Sequence, residues 1–138
     1  MITRELKLNL MPSYSFSEYD LNKIVFFDIE TTGLSAQDSY LYLIGCAFYR
    51  DDSFHLIQWF SENISEESQL IECFFDFIKD YELLVHFNGT GFDIPFIEEK
   101  IKRLGLSCSF DQIQSLDIYK VIKPYKNILK TKNMRLKT

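Results

Sequence analysis

The segment that most constrains this chain is Lys23–Asp28 (KIVFFD), an unbroken apolar run that ends in an acid. A short continuous apolar run is typical of a β-strand that is buried on both faces. Glu30 follows two residues after Asp28, just before a Thr-Thr-Gly turn. Residues i and i+2 of a strand share a face, so the two carboxylates lie close together at the strand end. They repel each other unless one is protonated or a cation lies between them.

Other apolar segments predict the sheet around this strand. Tyr40–Tyr49 (YLYLIGCAFY) and Ser53–Phe60 (SFHLIQWF) read as two further strands joined by a turn at Asp51-Asp52. The three strands together predict an antiparallel meander. Residues 1–22 are mixed and irregular, and we expect them to form an N-terminal extension to one domain that spans residues 23–138.

The second half of the chain alternates between helix-like and strand-like segments. Apolar residues recur at helical spacing in residues 65–81 and 93–104, and the apolar stretch 82–87 between them predicts a strand. A short extended piece at 112–116 and a helix over 117–129 complete the order. A meander followed by βα units predicts an α/β fold, in which parallel strands extend the meander into a mixed sheet with helices packed on it.

A third acid, Asp93, begins the second of these helices after the loop NGTGF. If the first and fourth predicted strands are neighbours, their ends bring Asp93 to the pair formed by Asp28 and Glu30. Carboxylate oxygens favour hard cations such as Mg²⁺ or Mn²⁺, and a helix N-terminus favours an ionised carboxylate. Asn88 in the loop adds an amide. Two plainer interpretations stay open, a solvated strand end with unrelated acids and a simple helix cap at Asp93.

Composition limits the classes of function. Residues 1–117 carry eight Lys or Arg against all 20 Asp or Glu, whereas residues 118–138 carry seven basic residues and no acid. An acidic body disfavours binding nucleic acid by broad phosphate neutralisation, which leaves metal ions, local contacts and the basic tail. The three cysteines form no metal-binding spacing, so we expect free thiols and no structural zinc. No apolar run spans a membrane and no signal peptide precedes the domain, so we expect a cytoplasmic protein without membrane partners.

Two motifs resemble a known family. FFDIETTGL (residues 26–34) resembles the first motif of the DEDD 3'-5' exonuclease superfamily, a group with the RNase-H-like fold that includes polymerase proofreading domains. HFNGTGFDIPFI (residues 86–97) resembles its second motif. YLIGCAFY, the strand with QWF and the acidic helix after it resemble, more narrowly, the YprB-like RNase-H-like group. The likeness covers roughly residues 23–138.

The resemblance implies an RNase-H-like fold and a metal-dependent hydrolase that acts on the 3' ends of single-stranded nucleic acid. Asp28, Glu30 and Asp93 match the carboxylates that hold two Mg²⁺ or Mn²⁺ ions in the family, where the ions activate water and stabilise the leaving oxygen. The residues that match substrate-binding positions flank these acids in both motifs. They are Thr31, Thr32, Gly33, Leu34, Asn88 and Phe92.

The chain departs from the family after the second motif. The family has a fourth carboxylate on a later helix, preceded by a His or Tyr that acts as general base. Here no His follows His86, and the only Asp residues after Asp93 are Asp111 and Asp117. SLDIYK (residues 115–120) resembles a family segment whose Asp is structural. NMRLKT (residues 133–138) resembles the approach to the third motif, so we expect the domain to be cut short there and its catalytic set to be incomplete.

Three hypotheses follow from these observations. The first is a metal-dependent 3'-5' exonuclease, and the second is a noncatalytic module of the same fold that binds a nucleic-acid end or a protein. The third is a phosphotransferase of the HAD type, which uses a strand-end Asp as nucleophile but has Asp where Glu30 stands here. His55 and His86 are expected to be packing residues, although His86 lies close enough to the second motif to face the site.

Overall fold

The computed structural model describes residues 1–8, 20–87 and 90–119, which form one six-stranded sheet with two helices. The strands are β1 (Ile2–Leu8), β2 (Ile24–Thr31), β3 (Leu41–Arg50), β4 (Ser53–Phe60), β5 (Leu83–His86) and β6 (Gln114–Asp117). The helices are α1 (Glu67–Ile78) and α2 (Asp93–Leu104), and single 3₁₀ turns lie at Leu21–Lys23, Ile64–Glu66 and Phe110–Gln112. Of the helix expected over 117–129, residues 118–119 are helical, and the remainder lies outside the described residues.

The strand order is β1-β4-β3-β2-β5-β6. β2, β3, β4 and β1 pair antiparallel in that order, whereas β5 pairs parallel to β2 and β6 pairs parallel to β5. The predicted mixed sheet, an antiparallel meander extended by parallel strands, is therefore confirmed. The first and fourth predicted strands are neighbours, as the meeting of Asp93 with Asp28 and Glu30 requires, because Ile24 to Phe26 of β2 pair with Leu83 to Val85 of β5.

The central strand β2 is held by apolar packing on both faces. Val25, Phe27 and Ile29 are buried in the main core, where the Phe27 ring lies 5.2 Å from that of Phe74 on α1. Ile24 is buried on the opposite face with residues of β5. Burying one such side chain contributes about 1.5–3 kcal/mol, so the strand that carries Asp28 is a rigid base for it.

The structure differs from the sequence-based expectation at the N-terminus. The sequence predicts that residues 1–22 are irregular, but residues 2–8 form the edge strand β1, which pairs with β4 from Ile2 opposite Phe60 to Leu8 opposite Phe54. Residues 2–7 are exposed, because an edge strand next to an open sheet face meets solvent. Because these residues are largely polar and form no apolar run, their sequence does not predict a strand.

Local sequence explains the ends of several elements. Asp51 and Asp52 form the β3–β4 turn with φ of 52° and 64°, the left-handed conformation that Asp adopts more readily than most residues. Gly105 ends α2 in the same region at φ 67°, where a side chain would be strained. Asn63 caps the 3₁₀ turn before α1, because its side chain accepts the Ser65 backbone N–H.

A buried ion pair joins the two helices to the β2–β3 connection. Lys100 of α2 is 5 % exposed and Glu67 of α1 is 4 % exposed, and Lys100 Nζ lies 3.3 Å from Glu67 Oε2. Lys100 also donates a 2.6 Å hydrogen bond to the Ser39 carbonyl, and Glu67 accepts a 2.8 Å hydrogen bond from the Leu41 N–H. Breaking one side of such a pair typically costs about 3–5 kcal/mol.

The cysteines and histidines have packing roles. All three cysteines are free, with Cys46 buried and the other two half-buried. His55 stacks on Phe48 at 5.3 Å, and the buried His86 meets the Phe27 ring edge-on at 5.7 Å. Neither helix in the described part of the chain has the length and hydropathy needed to cross a membrane.

Candidate functional site

The site begins at the end of β2, where the buried run gives way to acids. Asp28 is exposed and Glu30 half-buried, whereas Phe27 and Ile29 point into the core. The strand alternation therefore directs both carboxylates away from the main core, as the sequence predicts. Loss of part of its surrounding water raises the pKa of Asp28, and the same effect together with the charge of Asp28 raises the pKa of Glu30.

Asp93 reaches the same strand end from α2. It is 6 % exposed, and loss of water together with the charge of Asp28 raises its pKa to about 7. Asp117 and Glu30 add to this rise as further negative neighbours. Asp93 is the first residue of α2, and it is not a helix cap, because the cap position belongs to Phe92. The structure therefore brings Asp93 and Asp28 together, with Glu30 on the edge of the group.

The donor set of this site suits a hard divalent cation. Every donor is a carboxylate oxygen, and the buried Oδ2 of Asp93 has no hydrogen-bond partner among the residues that the structure describes. A cation would supply the missing partner and offset the loss of water that raises all three pKa values, together with the repulsion that adds to the rise at Glu30 and Asp93. Within residues 1–8, 20–87 and 90–119, no group of three or more His, Cys, Asp or Glu side chains lies close enough together to hold a metal ion. Ion binding would therefore require the carboxylates to draw closer.

Asp117 supports the loop before Asp93. It stands opposite His86 at the end of β6 and is 7 % exposed. Its two oxygens accept backbone N–H groups from Thr90 at 3.4 Å and Tyr119 at 3.0 Å. This geometry agrees with the structural role that the resemblance implies for this Asp. Its position at a parallel strand end is the sequence signal that places it near Asp93.

The segment Thr31–Leu34 leaves the sheet through an irregularity in the strand pairing. Glu30 pairs with Leu43 and Thr31 with Leu41, so β3 contains one extra residue, Tyr42, at this point. Such bulges bend a strand and re-aim its side chains. Thr31 Oγ1 then donates a 2.7 Å hydrogen bond to the Gly33 carbonyl, which closes a tight turn directly after the acids.

Residues 39–40 fix this turn from the opposite side. Thr32 N–H donates to the Tyr40 carbonyl at 2.9 Å, and Tyr40 N–H donates to Thr32 Oγ1 at 2.8 Å. A side chain at Gly33 would collide with the hydroxyl of the buried Ser39. Thr32 and Gly33 are therefore held against residues 39–40.

Leu34 and Phe92, one from each motif, line the same groove beside the acids. The groove has a volume of about 210 Å³, and Ala36, Gly91, Pro95 and Phe96 complete its lining. Leu34 is 87 % exposed, so most of its side chain is open to a ligand in the groove. Sequence reasoning did not identify Phe96, although it lies one helical turn after Phe92 and their rings are 5.4 Å apart. Asn88 lies outside the described residues.

Comparisons with other proteins agree with this fold. A sequence-family model described as RNase_H superfamily matches residues 25–138. "DNA polymerase 1" of Sulfurisphaera ohwakuensis is 41% identical over 46 residues, which is 33% of this chain and 5% of the polymerase. The chain thus spans a small part of this relative.

Two solved structures are similar in fold. The family B DNA polymerase of Pyrobaculum calidifontis superposes with a TM-score of 0.62 at 21% identity, over 74% of this chain and 16% of the polymerase. The zinc-bound complex of E. coli ExoI with single-stranded DNA superposes with a TM-score of 0.55 at 11% identity, over 74% of this chain and 29% of that one. With a family match over most of its length and a mixed sheet that carries acids at the end of its central strand, the chain belongs to the RNase H superfamily.

Proposed function

We propose that the chain is a metal-dependent 3'-5' exonuclease domain of the DEDD type, within the YprB-like group, with an incomplete catalytic set. Its expected substrate is the 3' end of single-stranded nucleic acid, and its expected compartment is the cytoplasm. The observation that carries the proposal is the meeting of Asp28 and Asp93 from two separate motifs. Likeness of fold to the polymerase and to ExoI supports the nuclease class.

The carboxylates would bind the cation, and the groove would bind the base. Asp28, Glu30 and Asp93 supply the oxygen ligands, and a bound Mg²⁺ or Mn²⁺ would polarise the phosphodiester and activate water. The exposed Leu34 and the half-buried Phe92 provide apolar surface for the terminal base, while the Thr31–Leu34 backbone lies next to the acids. An 87 % exposed Leu beside a groove gains burial when a base packs on it.

A second candidate is a noncatalytic module that binds a nucleic-acid end. The favouring observation is that the sequence contains no acid after Asp117 and no His after His86. The resemblance places the general base, a His or Tyr, shortly before the fourth carboxylate, so without an acid after Asp117 these residues do not supply that pair. General-base loss alone typically costs about 10²- to 10⁴-fold in rate, so we expect end binding that depends on the cation, with little or no hydrolysis.

The test uses a fluorescent single-stranded oligonucleotide with a free 3' hydroxyl, with Mn²⁺ or with a chelator. Anisotropy measures binding, and a ladder from a 5' label under single-turnover conditions measures shortening from the 3' end. Asp28→Ala should abolish the Mn²⁺-dependent binding and any shortening, because it removes a cation ligand. Asp38, an exposed acid in the β2–β3 connection, provides the matched control. Asp38→Ala should behave as the native chain.

Slow shortening that stops in Asp28→Ala would support the exonuclease, and cation-dependent binding without shortening would support the noncatalytic module. Cleavage or binding that survives both the chelator and Asp28→Ala would overturn the assignment, because the acids would then have no role.

A further inference from the structure

We infer that Lys100 and Glu67 are positioning residues, which hold Thr32–Leu34 in place for the 3'-terminal nucleotide. The inference rests on the proposed function. The two residues lie outside both motifs, and neither is a proposed ligand of the cation or of the nucleotide. The pair contacts residues 39–41 and acts on the loop through them.

The first step is the anchoring of residues 39–41. Lys100 Nζ donates to the Ser39 carbonyl at 2.6 Å, and Glu67 Oε2 accepts the Leu41 N–H at 2.8 Å. The ammonium also lies 5.2 Å from the Tyr40 ring centre, within the range of a cation–π contact. Three consecutive residues are thus tied to one buried ion pair.

The second step transmits this anchoring to the site. Tyr40 exchanges two hydrogen bonds with Thr32, at 2.9 Å and 2.8 Å, and Ser39 lies directly against Gly33. Leu34 follows Gly33 and is 87 % exposed, so its own contacts hold it in place only weakly. The position of Leu34 therefore depends on the Thr32–Gly33 backbone, and that backbone depends on residues 39–40.

The burial of the ion pair is the reason for assigning it a positioning role. A buried ion pair often stabilises a fold no better than apolar residues of the same volume. Lys100 and Glu67 are each at most 5 % exposed, yet their additional hydrogen bonds go to the backbone at the end of the β2–β3 connection and the first residue of β3. Arg103 and Glu99 on the same helix form an ion pair at 2.9 Å that is about 40 % exposed and makes no such contact among the described residues.

The test compares the native chain with three variants. The double variant Glu67→Gln/Lys100→Met removes both charges and the donor to Ser39, while Gln can still accept the Leu41 N–H. Lys100→Arg keeps a charged donor at the same place. Arg103→Met/Glu99→Gln removes the exposed pair on the same helix and is the matched control.

Three measurements separate positioning from general support of the fold. Amide hydrogen exchange at Thr32 and Tyr40 reports the loop, Mn²⁺ affinity reports the carboxylates, and anisotropy with Mn²⁺ reports binding of an oligonucleotide 3' end. In the double variant we expect faster exchange at these amides and an oligonucleotide Kd raised by about tenfold, the cost of ordering one or two loop side chains on binding. Mn²⁺ affinity should stay within about twofold of the native value, Lys100→Arg should recover most of the oligonucleotide affinity, and the control should match the native chain.

Unchanged exchange and unchanged oligonucleotide affinity in a folded double variant would overturn the inference while leaving the proposed function intact. A loss of Mn²⁺ affinity in parallel with oligonucleotide affinity would also overturn it, since the pair would then support the whole fold. A native chain that binds no oligonucleotide with Mn²⁺ would overturn the proposed function itself, and with it the nucleotide-positioning role.

Discussion

Replacing Asp93 by Asn should stabilise the metal-free protein above neutral pH, although it alters a candidate ligand. Asp93 is buried, and its pKa is raised to about 7 from an ordinary value of 3.8. The folded chain therefore retains a proton that the unfolded chain releases. As pH rises from about 4 to about 7, the unfolded state ionises first and the free energy of unfolding falls. The amide of an Asn side chain has no such proton to lose, so this fall should disappear in Asp93→Asn.

The size of the effect follows from the shift. A rise of roughly three pKa units at about 1.4 kcal/mol per unit corresponds to about 4 kcal/mol lost across the window. Burial of Asp93 justifies using the shift with little discount for solvent screening, and the figure is an upper bound because the acids can move apart. At pH 8 with a chelator, Asp93→Asn should therefore unfold at a higher urea concentration than the native chain, by up to about 4 kcal/mol in free energy.

Urea denaturation followed by the fluorescence of the single Trp, Trp59, provides the assay, at several pH values between 4 and 8. Saturating Mn²⁺ should raise the stability of the native chain at pH 8 more than that of Asp93→Asn, because the variant has one ionised carboxylate fewer to attract the ion. An Asp93→Asn variant that is less stable than the native chain at pH 8 without metal, with the same pH profile, would refute the argument from buried negative charge.

Further outcomes follow from the same geometry. Leu34→Ala should change stability by less than about 0.5 kcal/mol yet weaken oligonucleotide binding in anisotropy, whereas Ile64→Ala, also at an exposed position, should change neither. Gly33→Ala should cost about 1–3 kcal/mol in urea denaturation, and adding Ser39→Ala should recover most of it by removing the hydroxyl in its way. Titration with Mn²⁺ should reveal one weak site and a second, much weaker one, and Asp28→Ala should eliminate the first; two tight sites would contradict an incomplete ligand set.

Sequence reasoning predicted the parts of the fold that rest on buried apolar runs. The third predicted strand coincides with β4 (Ser53–Phe60), and the predicted helix over 93–104 coincides with α2. The acids of the two motifs lie at the end of β2 and at the start of α2. The alternation of side chains along a strand and the parallel pairing of β2 with β5 leave few other arrangements. The residue-level meeting of Leu34 and Phe92 in one groove needed the structure, since it depends on how a turn and a helix start pack together.

The remaining features depend on contacts that no local pattern encodes. Glu67 and Lys100 look like solvent-facing helix residues in the sequence, and only the packing of α1 against α2 and the β2–β3 connection buries them. β1 contains Arg4, Glu5 and Lys7, so its strand conformation follows from pairing with β4 and not from its own propensity.

The pairing of β1 with β4 also has a consequence for the order of events during synthesis. β1 is translated before its partner, and residues 54–60 leave the ribosome only after all of β2 and β3 have been made. At roughly 5–20 residues per second, the nascent strand waits for a few seconds with both edges unpaired. Its alternating charges make it a poor template for another chain during that interval. The polar composition that makes this strand hard to predict from the sequence would thus also keep the nascent chain from aggregating before its sheet is complete.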